Sequence, residues 1–171
     1  SDENETRQLL CTGYEFNGPA AIRYPRGTGP GTKIEEAMQA LAIGKGVLRR
    51  SGNRVAILNF GTLLPAALKV AEQLNFSVAD MRFVKPIDEA LIDSLASNHD
   101  LIVTLEENSI QGGAGSAVTE YLNQANQLVP VLQLGLPDIF VEHGKHSELL
   151  AECGLDQKGI ELAISKKLQS L

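Results

Sequence analysis

Val55-Ala-Ile-Leu-Asn-Phe60, followed directly by Gly61-Thr62, is the stretch on which the fold turns. Its apolar residues run on without polar alternation, so a strand made of them has to be covered on both faces. Gly61 ends that strand, and Thr62 reads as the N-cap of a helix in which Leu64, Leu68, Ala71 and Leu74 share a face and Pro65 is tolerated in the first turn. The same strand-then-helix unit recurs downstream. Ser77 to Phe83 reads as a strand, and Pro86 and Asp88 open a helix with Ile87, Leu91 and Leu95 inward. Leu101 to Leu105 is a buried strand running into Glu106-Glu107-Asn108. The turn Gly112-Gly-Ala-Gly-Ser116 then leads into a helix carrying Val118, Tyr121 and Leu122. Val129 to Leu134 is the last strand. Two helices close the chain, the second with Ile160, Ile164, Leu168 and Leu171 on one stripe.

Upstream, Val47 and Leu48 begin a further strand. The short turn Ser51-Gly52-Asn53 predicts that it pairs with Val55–Phe60 as an antiparallel hairpin. The expected fold class is therefore α/β: a mostly parallel five-stranded sheet with one antiparallel edge strand and helices on both faces.

The N-terminal part follows a different logic. Residues 2 to about 14 read as a helix capped by Asp2, with Glu3 and Glu5 in its first turn. Asn17-Gly18-Pro19 breaks the chain, and Ala20, Ala21, Ile22 and Tyr24 suit a short strand stopped by Pro25. One helix and one strand cannot bury a core, so residues 1–30 are expected to be the end of another α/β domain. Residues 31–43 read as a linker and residues 44–171 as a complete domain.

Composition narrows the partners. The chain has 171 residues, a formal net charge of −6 and a pI near 5.1. That balance disfavours nucleic acid and anionic membranes, and no apolar run approaches the roughly 20 residues of a membrane span. Cys11 and Cys153 stand far apart with no Cys-x-x-Cys, which suits reduced thiols in a cytosol-like compartment. The chain begins at Ser1, without methionine or signal peptide, and is expected to be a piece of something longer.

Few residues offer chemistry. Arg23 and Arg26 fall at the C-terminal end of the short predicted strand, where α/β sheets bind ligands, and a guanidinium held there by Pro25 can grip a phosphate or carboxylate. A plain surface arginine is the competing reading. Gly113-x-Gly115 resembles a dinucleotide loop, but Val118 stands where a third small residue belongs and no acid closes the next strand. Glu106 and Glu107 would also repel a pyrophosphate. Being adjacent, they point to opposite sides and cannot form one acid–base dyad, so capping or an interface contact is their expected role. His143 and His146 lack a third ligand for a metal, and His99 is expected to be solvated. No residue stands out as an activated nucleophile.

Several stretches together resemble the transketolase-like thiamine diphosphate enzymes, in particular those that join pyruvate to D-glyceraldehyde 3-phosphate. They are Asp2-Glu-Asn-Glu-Thr-Arg-Gln-Leu-Leu10, Arg23-Tyr-Pro-Arg-Gly27, Ile57-Leu-Asn-Phe-Gly-Thr62, Asp80-Met-Arg-Phe-Val-Lys-Pro86, Gly112-Gly-Ala-Gly-Ser116 and Gly135-Leu-Pro-Asp-Ile-Phe140. The resemblance implies a transketolase-type C-terminal domain preceded by the end of a pyrimidine-binding domain. It implies a transferase that releases CO2 and supplies isoprenoid, thiamine and pyridoxal synthesis, working as a cytoplasmic homodimer of bacterial type, with a plastid origin the alternative. The cofactors implied are thiamine diphosphate and Mg2+. By position, Arg26 would contact the aldehyde's phosphate. The family's Gly-Asp-Gly motif, its pyrimidine-activating glutamate and its channel histidines have no counterpart in these residues. This chain by itself is therefore expected to bind no cofactor or metal and to be inactive. A stand-alone, non-catalytic dimerisation or interaction module of the same fold is the rival reading.

Overall fold

The computed structural model describes residues 1–171. Helix α1 (Glu3–Glu15) is capped by Asp2, whose side chain accepts from the Glu5 N–H. Strands β1 (Val47–Arg50), β2 (Val55–Phe60), β3 (Ser77–Asp80), β4 (Leu101–Ser109) and β5 (Val131–Leu136) form one sheet in the order β1-β3-β2-β4-β5. β1 is antiparallel to β3, and the other pairings are parallel. Helices α2 (Leu64–Leu74), α5 (His146–Glu152) and α6 (Gln157–Leu168) cover one face, while α3 (Glu89–Ala96) and α4 (Ala114–Gln124) cover the other.

The predicted sheet is present, but β1 has a different neighbour. It does not form a hairpin with β2. Every residue of β2 is buried, so β2 takes the centre, with parallel neighbours on both edges. β1 is only partly covered and goes to the rim beyond β3. The connection crosses the beginning of β3 at Gly52. A Cβ there would lie 2.3 Å from the Asn75 carbonyl oxygen, so only glycine lets the chain pass so close. Asn53 N–H then donates to Asn75 O at 2.6 Å, and Gly52 N–H to Ser77 Oγ at 2.9 Å.

Other expectations shift at their edges. The strand read to Phe83 ends at Asp80, β4 runs on to Ser109, and β5 starts at Val131. In α2 the buried face is Leu64, Ala67, Val70 and Ala71, leaving Leu74 partly exposed, and Leu171 is exposed beyond α6. Ala20–Tyr24 carries no strand. No other strand of the sheet lies beside it, and without a ladder partner its β-suited residues have nothing to pair with.

Gly31–Leu41 has no regular structure, yet it is fastened along α1. Glu3 accepts from the Gly31 and Thr32 N–H groups at 2.8 and 3.2 Å, Asn4 from Glu35 N–H at 3.0 Å, and Thr12 Oγ1 from Leu41 N–H at 2.8 Å. Gln8 accepts from Gln39 N–H. The buried face of α1 is accordingly polar: Glu5, Gln8 and Thr12.

Candidate functional site

Connections leave β2 and β4 toward opposite sides of the sheet, so the carboxyl ends of these neighbours form the crevice where open α/β sheets take ligands. Gly61-Thr62 lies at one lip and Glu106-Glu107 at the other. Arg23 reaches this point from the N-terminal segment and donates from Nη2 to the Glu107 carbonyl at 2.6 Å. Arg26, three residues on, is exposed and its guanidinium engages no other residue.

Glu106 and Glu107 point to opposite faces, as their adjacency requires. Glu106 is buried, and its two carboxylate oxygens accept from Ala114 N–H and Gly115 N–H, each at 2.8 Å. It is the cap of α4. A Cβ on Gly113 would lie 2.5 Å from Glu106 Oε2, and one on Gly115 would lie 2.4 Å from Thr104 Oγ1. Gly113 therefore serves the close approach of a protein carboxylate and Gly115 that of the Thr104 hydroxyl, and the carboxylate occupies the helix N-terminus that a diphosphate would need.

On the other face, Glu107 Oε2 accepts from Thr62 Oγ1 at 2.6 Å, and Glu107 Oε1 lies 2.6 Å from His146 Nε2. Thr62 is thus not the N-cap of α2. That place falls to Leu63, which makes no side-chain cap, because the Thr62 hydroxyl is committed to Glu107. His146 opens α5, and no group of three or more His, Cys, Asp or Glu side chains is placed to hold a metal. His99 is not solvated as expected. Its ring bridges Leu95 O and Ser77 Oγ, both at 2.8 Å, tying the end of α3 to the start of β3.

A second polar cluster went unread in the sequence. Glu5 of α1 is buried and accepts from Arg82 Nε at 2.7 Å and from Arg49 Nη2 at 3.4 Å. Arg49 also donates to Asp80 Oδ2 at 2.9 Å. Arg82 follows β3 with φ of +58°, a left-handed conformation that is costly for a side-chain-bearing residue. Beside the cluster lies a cavity of about 380 Å3 whose wall includes Arg82, Arg49, Lys33, Gln8 and Gln39. Burial by itself would raise the Glu5 carboxyl, but the hydrogen bond from the Ser1 hydroxyl, the charge and hydrogen bond of the ammonium at Ser1 and, less strongly, Arg82 outweigh it and hold Glu5 below the ordinary range. Burial, with Glu5 as a negative neighbour, pushes Asp80 up against the pull of Arg49. The available signal was Asp80 and Arg82 in a run otherwise fit for a buried strand; reading that run as one strand to Phe83 concealed the turn.

The comparisons agree with this architecture. Residues 44–160 match the family described as transketolase, C-terminal domain. The chain is 61% identical over 171 residues to a 1-deoxy-D-xylulose-5-phosphate synthase of Stutzerimonas stutzeri, covering all of this chain and 27% of that protein. It is 58% identical to the synthase of Pseudomonas fluorescens strain Pf0-1 and 60% identical to that of Hahella chejuensis, over the same 171 residues. It thus spans about a quarter of the length of the curated relatives it matches, 27% in each case. A solved split-gene transketolase, described as an inactive beta4 tetramer, superposes with a TM-score of 0.71 at 33% identity, covering 76% of this chain and 44% of its own. The matched residues hold the five-stranded sheet and the crevice at its carboxyl ends, and the chain belongs to the transketolase C-terminal domain family.

Proposed function

We propose that this chain is the C-terminal part of a 1-deoxy-D-xylulose-5-phosphate synthase, a thiamine-diphosphate-dependent transferase. That enzyme condenses pyruvate with D-glyceraldehyde 3-phosphate and releases CO2. The observation that carries the reading is identity near 60% sustained over every residue of the chain to proteins of that name. In this proposal residues 1–30 end the pyrimidine-binding domain, 31–43 connect, and 44–171 form the C-terminal domain. The enzyme is a cytoplasmic homodimer, and thiamine diphosphate and Mg2+ are held by residues outside those described here.

The residues present do not suit the cofactor. The one glycine-rich helix start that could receive a diphosphate is filled by the Glu106 carboxylate. No step of the carbon chemistry is therefore assigned to this chain, and titration with thiamine diphosphate is expected to give no saturable binding. Its proposed part is to hold the phosphorylated substrate through Arg26, whose unengaged guanidinium lies close in sequence to the Arg23 contact at the crevice.

Arg26→Ala in the full-length enzyme is expected to raise KM for D-glyceraldehyde 3-phosphate far more than KM for pyruvate. Losing a charged phosphate contact costs about 2–3 kcal/mol, roughly 30- to 160-fold in kcat/KM. Unchanged steady-state constants for the phosphorylated substrate would remove Arg26 from the site.

A further inference from the structure

The two edges of the sheet are built differently. β1 carries Arg49 and Arg50, and its pairing with β3 shifts register between Leu48 and Arg50. Charge and irregularity of that kind keep an exposed edge from recruiting another strand. β5 has neither. No charged residue stands between Glu120 and Asp138, and the pairing of β5 with β4 runs without a shift from Val131 to Leu134. Ile102 N–H donates to Pro130 O at 3.0 Å and Ile110 N–H to Leu136 O at 3.1 Å, so the even-numbered residues turn their main-chain groups toward β4. Val131, Gln133 and Gly135 turn theirs the other way, along an edge that no strand of this chain covers. Large apolar side chains stand in water at both ends of it. Leu128 is 98% exposed and Ile139 72% exposed, and Phe140 is exposed completely.

We propose that this edge of β5 is an interface with a second copy of the chain, paired antiparallel about a two-fold axis at Gln133. The proposal rests on the reading of the synthase as a homodimer and gives that dimer a contact surface. Three observations select a second copy as the occupant. An uncharged strand meets its own copy with no like charges opposed. The main-chain groups that face outward lie symmetrically about Gln133. A two-fold axis there lets Gln133 exchange both N–H···O bonds with its counterpart, and Val131 pair with the second copy's Gly135. The apolar ends are symmetric too: Leu128 lies five residues before Gln133, and Ile139 and Phe140 lie six and seven after it. The same axis therefore sets Leu128 beside the second copy's Ile139, covering both exposed ends at once. Pro130 and Pro137 bracket the strand and confine the ladder to the residues between them.

The test is thiol cross-linking of the full-length synthase carrying Leu128→Cys together with Ile139→Cys. Within one chain these positions flank a six-residue strand roughly 20 Å long, beyond the span of a short bis-maleimide. That reagent should give a covalent dimer on a denaturing gel from the double variant and none from either single variant, which controls for the native cysteines. Val131→Pro removes an outward N–H that no group of this chain uses, and adding it should abolish most of the cross-link. Sedimentation of the same enzyme separates the two readings. A dimer that yields no cross-link leaves the homodimer standing and overturns the β5 interface. A monomer removes both. A thiol at position 128 that resists alkylation yet stays uncross-linked means that the remainder of the chain covers the edge, and it too overturns the proposal. So does a cross-link that survives Val131→Pro undiminished, since the ends then meet without strand pairing. Both cysteine positions are exposed, so the cross-link decides the matter even if Val131→Pro fails to fold.

Discussion

Glu106 is the residue whose chemistry is simplest to isolate. A buried carboxylate accepts two N–H groups at the start of α4, and no other side chain caps that helix. Glu106→Ala should destabilise the chain by about 2–3 kcal/mol, the loss of hydrogen bonds to a charged group together with the helix-end electrostatics. Urea unfolding measures this directly. The vacated pocket keeps its two donors, so acetate should restore part of the loss where equal chloride does not. Equal unfolding midpoints for parent and variant would show the cap to be dispensable. The opposed directions of Glu106 and Glu107 were legible from adjacency alone. Their partners were not, because Ala114, Gly115, Thr62 and His146 come from elements whose approach is set by packing across the sheet.

At the scale of elements, Asp88 does two jobs. It caps α3 through Leu91 N–H at 3.2 Å, and it receives Gly46 N–H at 3.0 Å and Lys45 Nζ at 3.3 Å from the approach to β1. Burial opposes its charge, but the Gly46 and Leu91 N–H groups, with Lys45, more than compensate and hold it below its ordinary value of 3.8. The native state therefore binds this proton less readily than the unfolded chain does. The stability it confers is present above pH 3.8 and is lost as pH falls through the lower native value. Asp88→Ala should cost about 1–2 kcal/mol at neutral pH, the usual worth of a cap, and the gap from the parent should close on acidification. Thermal unfolding across pH decides it, and a gap that stays constant into strong acid would refute the assignment. The Asp88 helix start was readable because Pro86 and Asp88 are local signals. The partner of β1 was not. A short turn says that two strands can be adjacent, whereas the burial of β2 on all sides is a property of the whole sheet.

For the whole molecule, the N-terminal helix and the α/β body meet through polar groups rather than a shared apolar core. Glu5, Arg49, Arg82 and Asp80 join them, and the α1 side chains hold the segment at residues 31–41 by its main chain. Residues 17–30 between these fastened parts are almost all exposed. Limited trypsin treatment should cut first after Arg26, ahead of the engaged Arg23, and the nicked halves should migrate together on a native gel. Mass spectrometry of the earliest fragments checks this, and first cleavage within residues 44–171 would contradict it. The pattern of strands and helices beyond residue 44 was clear in the sequence because apolar runs and glycine turns are local. The apparent strand at Ala20–Tyr24 misled because β-suited residues make a strand only where another strand is waiting.

The placement of β1 beyond β3 has a temporal consequence. β1 precedes β2 in the chain, yet its only ladder partner is β3, which cannot be presented until β2, α2 and the turn at Asn75 have come together. During synthesis β1 leaves the ribosome first and docks late, a non-local closure of the kind that slows folding. Until then β3 offers an open edge beside the strand at the centre of the sheet. The interval before β1 closes that edge is when a nascent chain is most open to pairing with the wrong partner.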